Sequence, residues 1–483
     1  MQWQAVLKIL GILLMMFSTS LLPPLVISLI VSDGGAFSFT VALIITLFTG
    51  LILWGSVKQH RQEPRLRDGF LIVVLFWTVL AGFGTIPFLL TPEPDMSLTE
   101  AFFESMSGLT TTGATVLTGI DDLPPSILYY RQQLQWLGGM GIIVLAVAVM
   151  PMLGIGGMQL YRAEAPGPVK DKKLTPRIKE TAKALWYIYL SLTVACAIAY
   201  WLAGMSLFDA VGHSFSTVAI GGFSTHDQSM GFFNSPAIAA IACLFMLASG
   251  INFALHFTVL RDRSPALYLK DPEVKAFIGA LAIITVVVLT VLFVFEAYLE
   301  SLETFWHGVF HVVSIATTTG FTTSGFHWWP TFLPILLILM SAVGGCAGST
   351  AGGMKIIRVI LLYKQGRREI EQLIHPKALI PIKLGGRPVP NQVIDAVWGF
   401  FALYILSYVL LSLAMTATGV DLVTAFSAVT ACLNNLGPGL GTVAENYAEI
   451  SVAGKWILAG SMLLGRLEIF TLLVLLTPSF WQA

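Results

Sequence analysis

Four short polar stretches that contain glycine interrupt long apolar sequence, and their residue types suit the binding of a dehydrated cation. They are SGLTTTGAT (107–115), STVAIGGFST (216–225), SIATTTGFTT (314–323) and ACLNNLGPGL (431–440). Backbone carbonyl oxygens can replace the hydration shell of a monovalent ion, and glycine permits the backbone conformations that turn several carbonyls the same way. None of the stretches contains the clustered carboxylates of a strong divalent site. They predict a filter for a weakly held monovalent cation.

Composition indicates the elements that must position these stretches. Hydrophobic residues make up 56% of the chain and charged residues 11%, with a mean hydropathy of +0.80, which is typical of an integral membrane protein. The net charge of zero gives no reason to expect a nucleic-acid partner. We expect the first span to remain part of the protein and not to be cleaved as a signal peptide, because it lacks a small-residue cleavage site. At about 20 apolar residues per span, ten spans are predicted, near 8–31, 38–57, 69–90, 132–153, 182–204, 236–260, 275–298, 331–363, 393–418 and 453–477.

Basic residues predict the orientation of the spans. Of the 27 Lys and Arg residues, 24 lie at the N-terminus or in four connecting segments near 58–67, 162–183, 261–275 and 355–387. The positive-inside rule places these segments and both termini in the cytoplasm. The opposite face is acidic, which would concentrate cations at a pore mouth. The alternative is that acids simply remain wherever topology excludes Lys and Arg.

The four stretches repeat at similar intervals. Their glycines Gly113, Gly222, Gly320 and Gly437 are 109, 98 and 117 residues apart, with a small residue six and twelve positions before each. We therefore expect an all-α membrane protein with two N-terminal transmembrane helices and four span–pore helix–span repeats, arranged with fourfold pseudo-symmetry around one pore. The predicted units are 1–60 for the helix pair and 61–157, 158–262, 263–366 and 367–483 for the repeats.

Span eight contains SAVGGCAGSTAGGM, which is too rich in glycine for a robust helix, since each glycine costs about 1 kcal/mol relative to alanine. We interpret it as a broken helix whose loop forms a gate below the filter; the alternative is close small-residue packing. Arg466 lies within span ten, where a charge usually faces a cavity or a partner. It is predicted either to obstruct cations electrostatically or to form an ion pair with another helix. The candidate gate residues are Gly344, Gly345, Gly348, Ser349, Gly352, Gly353 and Arg466.

At these residues the chain resembles the Trk/Ktr/HKT superfamily of potassium translocators, and within it the bacterial Trk-type uptake proteins. The blocks that carry the resemblance include FFESMSGLTTTGAT, QWLGGMGIIVLAVAVMPMLGIGGMQLYRAE, GHSFSTVAIGGFSTHD, GGCAGSTAGGMKIIR, LNNLGPGLG and MLLGRLEIFTLLVLLTP, and it covers nearly the whole chain. It implies one filter glycine per repeat and potassium selectivity, since members that prefer sodium tend to have serine where Gly113 stands.

The resemblance implies a filter of three residues in each repeat, the last of which is the glycine Gly113, Gly222, Gly320 or Gly437. The two residues before each of these glycines are expected to contact K⁺. These contacting residues are Thr111, Thr112, Ile220, Gly221, Thr318, Thr319, Asn435 and Leu436.

The resemblance further implies a homodimer in the bacterial inner membrane, with a cytoplasmic TrkA-like nucleotide-binding regulatory subunit bound to basic loops such as 355–392. No cofactor is expected in this chain, and K⁺ is the transported ion. We expect no enzyme activity, because paired Asp, Ser–His and HExxH arrangements at one depth are missing from the sequence. The alternative function is a cation-coupled solute symporter with discontinuous helices. His213 and His311, on predicted pore helices, are interpreted as packing or hydrogen-bonding residues.

Overall fold

The computed structural model describes residues 1–59, 65–148 and 174–482, and the protein is almost entirely α-helical within these ranges. The predicted boundaries at 60/61 and 157/158 lie outside the described residues. The same holds for the end of the predicted span 132–153, for the part of the block QWLGGMGIIVLAVAVMPMLGIGGMQLYRAE beyond residue 148, and for most of the basic segment 162–183.

Ten helices are described in the first part of the chain: α1 (Trp3–Ser20), α2 (Leu22–Val31), α3 (Ala36–Val57), α4 (Leu66–Leu90), α5 (Leu98–Leu109), α6 (Pro125–Ala148), α7 (Leu174–Leu202), α8 (Leu207–Ala219), α9 (Pro236–Ser249) and α10 (Phe253–Asp262). Ten more follow: α11 (Ala266–Lys270), α12 (Pro272–Val294), α13 (Ser301–Ala316), α14 (Leu333–Met340), α15 (Ile356–Ile374), α16 (Asn391–Thr416), α17 (Leu422–Leu433), α18 (Val452–Arg466), α19 (Phe470–Leu475) and α20 (Pro478–Trp481). Short 3₁₀ turns occur at Ile120–Asp122, Ser229–Phe233, Phe326–Trp328 and Gly441–Val443.

A small antiparallel hairpin separates α15 from α16. It consists of β1 (Lys383–Leu384) and β2 (Arg387–Pro388), joined by two glycines. Gly385 and Gly386 have φ values of 54° and 85°. A two-residue hairpin turn of this kind requires positive φ at both central positions, which explains the glycine pair.

Within the described ranges, six segments are long and apolar enough to cross a membrane: Trp3–Val31, Ala36–Val57, Arg67–Leu90, Ala182–Leu202, Pro272–Val294 and Asn391–Thr416. They coincide with six of the ten predicted spans. The bent pair α9 and α10 is a seventh candidate. The chain is thus a multi-pass membrane protein.

The two N-terminal spans pack through glycines. A Cβ on Gly11 of α1 would lie 2.8 Å from the carbonyl oxygen of Gly50 on α3, and a Cβ on Gly50 would lie 2.9 Å from the carbonyl oxygen of Gly11. Any larger residue would separate the helices. Small residues therefore bring the two backbones into contact here, as is common between helices in membranes.

Four half-length helices, α5, α8, α13 and α17, form the centre of the protein and are called the pore helices. Three of them begin at side-chain caps: the oxygens of Ser97, Ser206 and Asp421 accept the amides of Glu100, Asp209 and Thr424. Most pore-helix residues beyond the first turn are buried, whereas the surrounding spans expose apolar side chains outward. The pore helices are thus enclosed by the longer spans, as the repeat pattern predicted.

The prediction of a continuous span at 236–260 is wrong. Helix α9 ends at Ser249, α10 begins at Phe253, and the two are bent by 92°. Asn252 caps α10, because its side-chain oxygen accepts the amide of Ala254 at 2.8 Å. The break is tolerated because another non-helical segment hydrogen-bonds to the freed backbone groups, as described below.

The prediction of a continuous span at 453–477 is also wrong, whereas the expected interruption of span eight is present. Helix α18 ends at Arg466, and Glu468 and Ile469 have positive φ values of 52° and 57° before α19 begins. In span eight, α14 and α15 are separated by the non-helical residues 341–355. Residues 341–355 are called the gate loop from here on, after the role predicted for them from the sequence.

Candidate functional site

All four pore helices end in the same backbone motif. In each loop, one backbone amide donates to the carbonyl five residues earlier at 2.8–2.9 Å. The amide just before it donates to the carbonyl three residues earlier at 3.0–3.2 Å. This is a Schellman motif, which reverses the chain direction at a helix C-terminus. The four glycines predicted to form the filter, Gly113, Gly222, Gly320 and Gly437, are called the filter glycines from here on. The accepting carbonyls belong to the small residues six positions before each of them: Ser107, Ser216, Ser314 and Ala431.

The motif places one residue of each loop in the left-handed region. The residue two positions before each filter glycine has a φ between 53° and 65°, and each filter glycine has a φ between 79° and 98°. The first set consists of non-glycine residues, which the surrounding hydrogen bonds must keep in this conformation. The set is Thr111, Ile220, Thr318 and Asn435.

The four filter glycines bring the loops into a closed ring. A Cβ on any of these glycines would collide with the carbonyl oxygen of the residue just before the glycine of the next loop. The contacts run Gly113 to Gly221, Gly222 to Thr319, Gly320 to Leu436, and Gly437 back to Thr112. The ring thus contains all twelve candidate filter residues, which lie in three consecutive positions of each loop. All of them are buried except Gly113, Gly222 and Gly320, which are partly exposed.

Hydroxyl and amide side chains lie behind the ring. Thr110 and Thr112 share a hydrogen bond of 2.7 Å between their hydroxyls, and Thr317 and Thr319 share one of 2.8 Å. In the fourth loop, which lacks threonines, Asn435 Nδ2 donates to Thr112 Oγ1 at 2.9 Å. The fourth loop is therefore linked to the first by a side-chain amide.

Gln135 on α6 was not predicted, yet it contacts the second filter loop. Its Nε2 donates to the carbonyl of Gly221 at 2.6 Å, and its Oε1 accepts the amide of Phe223 at 3.1 Å. Tyr447 was also missed, and its hydroxyl donates to the carbonyl of Gly437 at 2.7 Å. Gln135 is the first residue of the block QWLGGMG, but no spacing rule in a single sequence connects it to a loop 86 residues away.

The gate loop contacts the pore-helix ends directly. The amide of Gly352 donates to Thr318 Oγ1 at 2.7 Å, and Thr350 Oγ1 donates to the carbonyl of Val218 at 3.1 Å. A Cβ on Gly352 would collide with the carbonyl oxygen of Asn434. These contacts place the loop against three of the four filter loops, on the side toward which the pore helices point.

The glycines of the gate loop allow a tightly folded backbone. Gly344, Gly348 and Gly353 have positive φ values of 67°, 73° and 70°. A Cβ on Gly345 would lie 2.8 Å from the carbonyl oxygen of Gly250, and Ser349 Oγ donates to the carbonyl of Cys346 at 2.6 Å. The stretch is therefore a folded loop rather than a small-residue helix interface.

The break in span six serves as a binding surface for the gate loop. The amide of Cys346 donates to the carbonyl of Gly250 at 2.9 Å, and the amide of Phe253 donates to the carbonyl of Gly348 at 3.1 Å. The amide of Ala347 donates to the buried carboxylate of Glu273 at 2.7 Å. Non-helical backbone in the two spans is thus satisfied mutually, which explains why both breaks are possible inside a membrane.

Arg466 lies at the gate loop. It is 6% exposed, and its guanidinium donates to the carbonyl of Thr350 at 3.3 Å and to the carbonyl of Gly138 at 3.4 Å. No carboxylate of the described residues lies within ion-pair distance of it; the nearby Glu468 pairs with Arg358 instead. Within the described part of the chain, Arg466 therefore has no acidic partner for the structural ion pair that was the alternative interpretation.

Two basic residues near the outer face are both paired with acids of pore helix α5. Arg131 Nε lies 2.7 Å from Glu104 Oε1, and Lys455 Nζ lies 2.9 Å from Glu100 Oε1. The pairing leaves the remaining outer acids, among them Glu445 and Glu449 beside a cavity of about 680 Å³, without these two counter-charges. Arg131 and Lys455 therefore do not neutralise the other acids on the face that the sequence predicts to be the outer one.

His226 in the outer loop of repeat two lies between two carboxylates. Its Nδ1 is 2.5 Å from Asp121 Oδ1, and its Nε2 is 3.5 Å from Asp209 Oδ1. Burial disfavours the imidazolium, but the carboxylates of Asp209 and Asp121 outweigh burial and raise the pKa of His226 above its ordinary value of 6.5. When it is protonated, the ring therefore links the outer loops of repeats one and two through ion pairs.

This linkage predicts a pH-dependent stability. Because the folded-state pKa is raised, the stabilising contribution is complete below about pH 6.5 and is lost as pH rises through the folded-state value. His226→Gln should therefore unfold at a lower temperature than the parent at low pH and at nearly the same temperature at high pH. Thermal unfolding of the detergent-solubilised protein at several pH values measures this, and a temperature difference that stays constant across the range would contradict it.

Comparison with known proteins is consistent with this geometry. A family model described as TrkH, cation transport protein, matches residues 35–482. The Trk system potassium uptake protein TrkH of Vibrio parahaemolyticus is 56% identical over the whole of both chains, and the TrkH of Escherichia coli K12 is 54% identical, again over the whole of both. The Trk system potassium uptake protein TrkG of E. coli K12 is 40% identical, covering 98% of this chain and 97% of its own. The crystal structure of the potassium transporter TrkH from V. parahaemolyticus aligns over all of both chains with a TM-score of 0.93 at 54% identity.

Proposed function

The chain belongs to the TrkH family of cation transport proteins, and from this premise we propose that it carries potassium into the bacterial cell across the inner membrane. Its relatives are named as potassium transport proteins, so the family is one of transporters rather than enzymes. The observation that supports the proposal most strongly is the closed ring of four filter loops, in which each glycine lies against a carbonyl oxygen of the next loop. Four such loops supply the backbone oxygens that a dehydrated K⁺ requires.

In the proposed pathway, K⁺ enters from the acidic outer face and loses its water at the ring. Its oxygen ligands come from the residues before the filter glycines, Thr111, Thr112, Ile220, Gly221, Thr318, Thr319, Asn435 and Leu436. The pore helices direct their C-terminal ends toward the space below the ring, which favours a cation there. An inside-negative membrane potential then favours inward movement by about 2.3 kcal/mol per 100 mV, so uptake requires no chemical step.

We assign gating to the gate loop and Arg466. The loop lies directly against the filter loops, so the ion must pass it to reach the cytoplasm. Opening requires the gate loop to break its hydrogen bonds with the backbone of span six and with the pore-helix ends. These hydrogen bonds are of ordinary strength. The glycines permit such a rearrangement at low conformational cost.

Regulation is proposed to come from a cytoplasmic TrkA-like nucleotide-binding subunit bound to a homodimer of this chain. The gate loop continues directly into α15, which with the β-hairpin carries the basic segment near 355–387. A subunit bound to α15 would thus act on the adjoining gate loop. Light scattering of the purified protein should give the mass of two copies, and the mass should rise when a TrkA-like subunit is added; a mass of one copy would contradict the dimer.

The contact between the two termini supports their predicted location in the cytoplasm. The rings of Trp3 and Trp481 stack with centroids 6.4 Å apart, and Arg67 donates to the carbonyl of Gln482 at 2.8 Å. Arg67 belongs to a connecting segment that the positive-inside rule places in the cytoplasm. The two ends of the chain therefore lie on the same face as that segment.

Rubidium uptake tests the proposed function. Vesicles that contain the purified protein and carry an inside-negative potential should accumulate ⁸⁶Rb⁺, and a tenfold excess of Na⁺ should reduce uptake far less than the same excess of K⁺. Vesicles without protein are the control. Equal inhibition by Na⁺ and K⁺ would contradict potassium selectivity.

The same vesicles distinguish potassium uptake from the alternative function, a cation-coupled solute symporter. Such transporters are built from two related halves with discontinuous helices, whereas this ring has four equivalent loops. A symporter would require an organic solute for cation movement. Rubidium uptake with no organic solute on either side of the membrane would therefore exclude it.

A further inference from the structure

The position nine residues before each filter glycine is occupied by a fully buried residue of the pore helix. The four residues are Glu104, His213, His311 and Ala428, each 0% exposed. Three of them are polar, and each of these three contacts the part of the loop that follows the filter glycine, here called the outer limb. The Schellman motif described above secures only the part of the loop before the glycine.

In repeat one, the carboxylate of Glu104 binds the outer limb at two points. It accepts the amide of Val116 at 3.1 Å and the hydroxyl of Thr115 at 3.0 Å. Arg131 neutralises this buried carboxylate, as given above, and donates in addition to the carbonyl of Ser224 at 3.1 Å. The same ion pair thus contacts the outer limbs of repeats one and two.

In repeat two, His213 occupies the equivalent position and its hydrogen bonds define its tautomer. Nδ1 lies 2.9 Å from the carbonyl oxygen of Asp209, which can only accept, so the ring proton is on Nδ1. Nε2 is then an acceptor, and the hydroxyl of Ser224 donates to it at 2.9 Å. Ser224 Oγ in turn accepts the amide of His226 at 3.1 Å, so a neutral histidine orients the outer limb through one serine.

In repeat three, His311 Nε2 lies 3.1 Å from the carbonyl oxygen of Ser324, and its Nδ1 lies 2.9 Å from the carbonyl oxygen of His307. A neutral imidazole has a single N–H and can donate to only one of the two carbonyls at a time. The contact of this ring with the outer limb is therefore weaker than the contacts in repeats one and two.

Repeat four has Ala428 at this position, and the preceding residue replaces the missing side chain. Ser427 Oγ accepts the amide of Leu440 at 2.8 Å and donates to its carbonyl at 3.1 Å. The outer limb is thus bound in all four repeats, but by a carboxylate, two neutral histidines and a hydroxyl.

We propose that Glu104, His213 and His311 are positioning residues of the filter, which orient the outer limb of each loop and thereby set the preference for K⁺ over Na⁺. The inference rests on the proposed function. The physical reason is that carbonyl oxygens favour the larger ion only while they are prevented from closing around the smaller one. A loop bound on both sides of its glycine resists that movement better than a loop bound on one side.

The test uses the pair His213 and Ser224, because it is neutral and its loss leaves no buried charge. His213→Phe removes the acceptor, His213→Gln retains an acceptor near the Nε2 position, and Ser224→Ala removes the donor. His213→Phe and Ser224→Ala both remove the neutral hydrogen bond between His213 Nε2 and Ser224 Oγ, and the loss of this shared bond should lower the Rb⁺-over-Na⁺ preference by about fivefold in each. The double variant should be little worse than either single variant, and His213→Gln should retain most of the preference.

Ser105→Ala is the matched control. Ser105 is also fully buried on a pore helix, but its hydroxyl donates to the carbonyl of Ala81 on α4 at 2.8 Å rather than to a filter loop. It should leave the preference unchanged. The proposal is overturned if Ser224→Ala retains the parental preference, if Ser105→Ala lowers it equally, or if the effects of the two single variants multiply in the double variant. If His213→Phe does not fold, Ser224→Ala alone decides, and absent Rb⁺ uptake by the parent would refute the proposed function instead.

Discussion

Replacing Gly113 by serine is expected to reduce the Rb⁺-over-Na⁺ preference of the vesicles by at least about tenfold. Gly113 has a φ of 79°, and a Cβ there would collide with the carbonyl oxygen of Gly221 in the next loop. An L-residue in left-handed backbone costs about 1 to 2 kcal/mol before the collision is counted, and about 1.4 kcal/mol corresponds to a tenfold change. Relief of the backbone strain and of the collision requires the carbonyl of Gly221 to move, and that carbonyl is one of the proposed K⁺ ligands.

Gly119→Ser is the matched control for this substitution. Gly119 also has a positive φ, 65°, but a Cβ there would have nothing within 4 Å. It shares the backbone strain of Gly113 without the contact between loops. We expect Gly119→Ser to retain the parental preference at somewhat reduced stability. If Gly113→Ser and Gly119→Ser discriminate between Rb⁺ and Na⁺ equally well, Gly113 is not part of the filter.

Replacing Arg466 by glutamine is expected to raise Rb⁺ flux by an order of magnitude when no regulatory subunit is present. The guanidinium is buried beside the gate loop and has no carboxylate partner among the described residues. At an assumed separation of about 8 Å and an effective dielectric of about 20, a unit charge repels K⁺ by about 2 kcal/mol, which corresponds to about 30-fold. Removal of the guanidinium also takes a donor from the carbonyl of Thr350, which loosens the gate loop.

Arg466→Lys separates the two causes. Lysine retains the positive charge but lacks the planar group that reaches the carbonyls of Thr350 and Gly138 together. If repulsion limits flux, Arg466→Lys should conduct like the parent, whereas Arg466→Gln should conduct faster. Stopped-flow measurement of flux in vesicles compares the three proteins. Flux through Arg466→Gln at or below the parental rate would contradict a role of this charge in obstructing the pore.

The positions of the loops and their glycines could be predicted from the sequence because they depend on local rules. A polar, glycine-containing stretch cannot cross lipid as a helix, and its recurrence at similar intervals indicates repeated units. The gate loop was predicted for the same reason, since five glycines between Gly344 and Gly353 do not sustain a helix. In these cases the residue types alone exclude the regular alternatives.

The breaks in spans six and ten could not be predicted, because their residues are compatible with a helix. Gly250 is the single glycine at the first break, and Glu468 and Ile469 at the second are ordinary helix residues. Span six breaks where Gly250 accepts the amide of Cys346, a contact across 96 residues of sequence. Hydropathy measures whether a segment prefers lipid and contains no information about such a partner.

The residues that support the filter from a distance were missed for a related reason. Gln135 and Tyr447 each donate to a filter carbonyl, and neither has a spacing that identifies it. His213 and His311 were interpreted only as packing or hydrogen-bonding residues. Their shared position, nine residues before a filter glycine, becomes meaningful once the outer limb is seen to return past the pore helix.

The sequence by itself determined the solvent, the number of repeats and the residues that turn the chain, because hydropathy, charge and glycine act within a few residues of where they stand. Only the tertiary structure decided that the loops meet as a ring in the order one, two, three, four, that the gate loop binds the broken sixth span, and which buried side chains contact each filter loop. The physical reason is that hydrogen bonds and steric contacts depend on distances in space, which the fold creates between residues far apart in the chain.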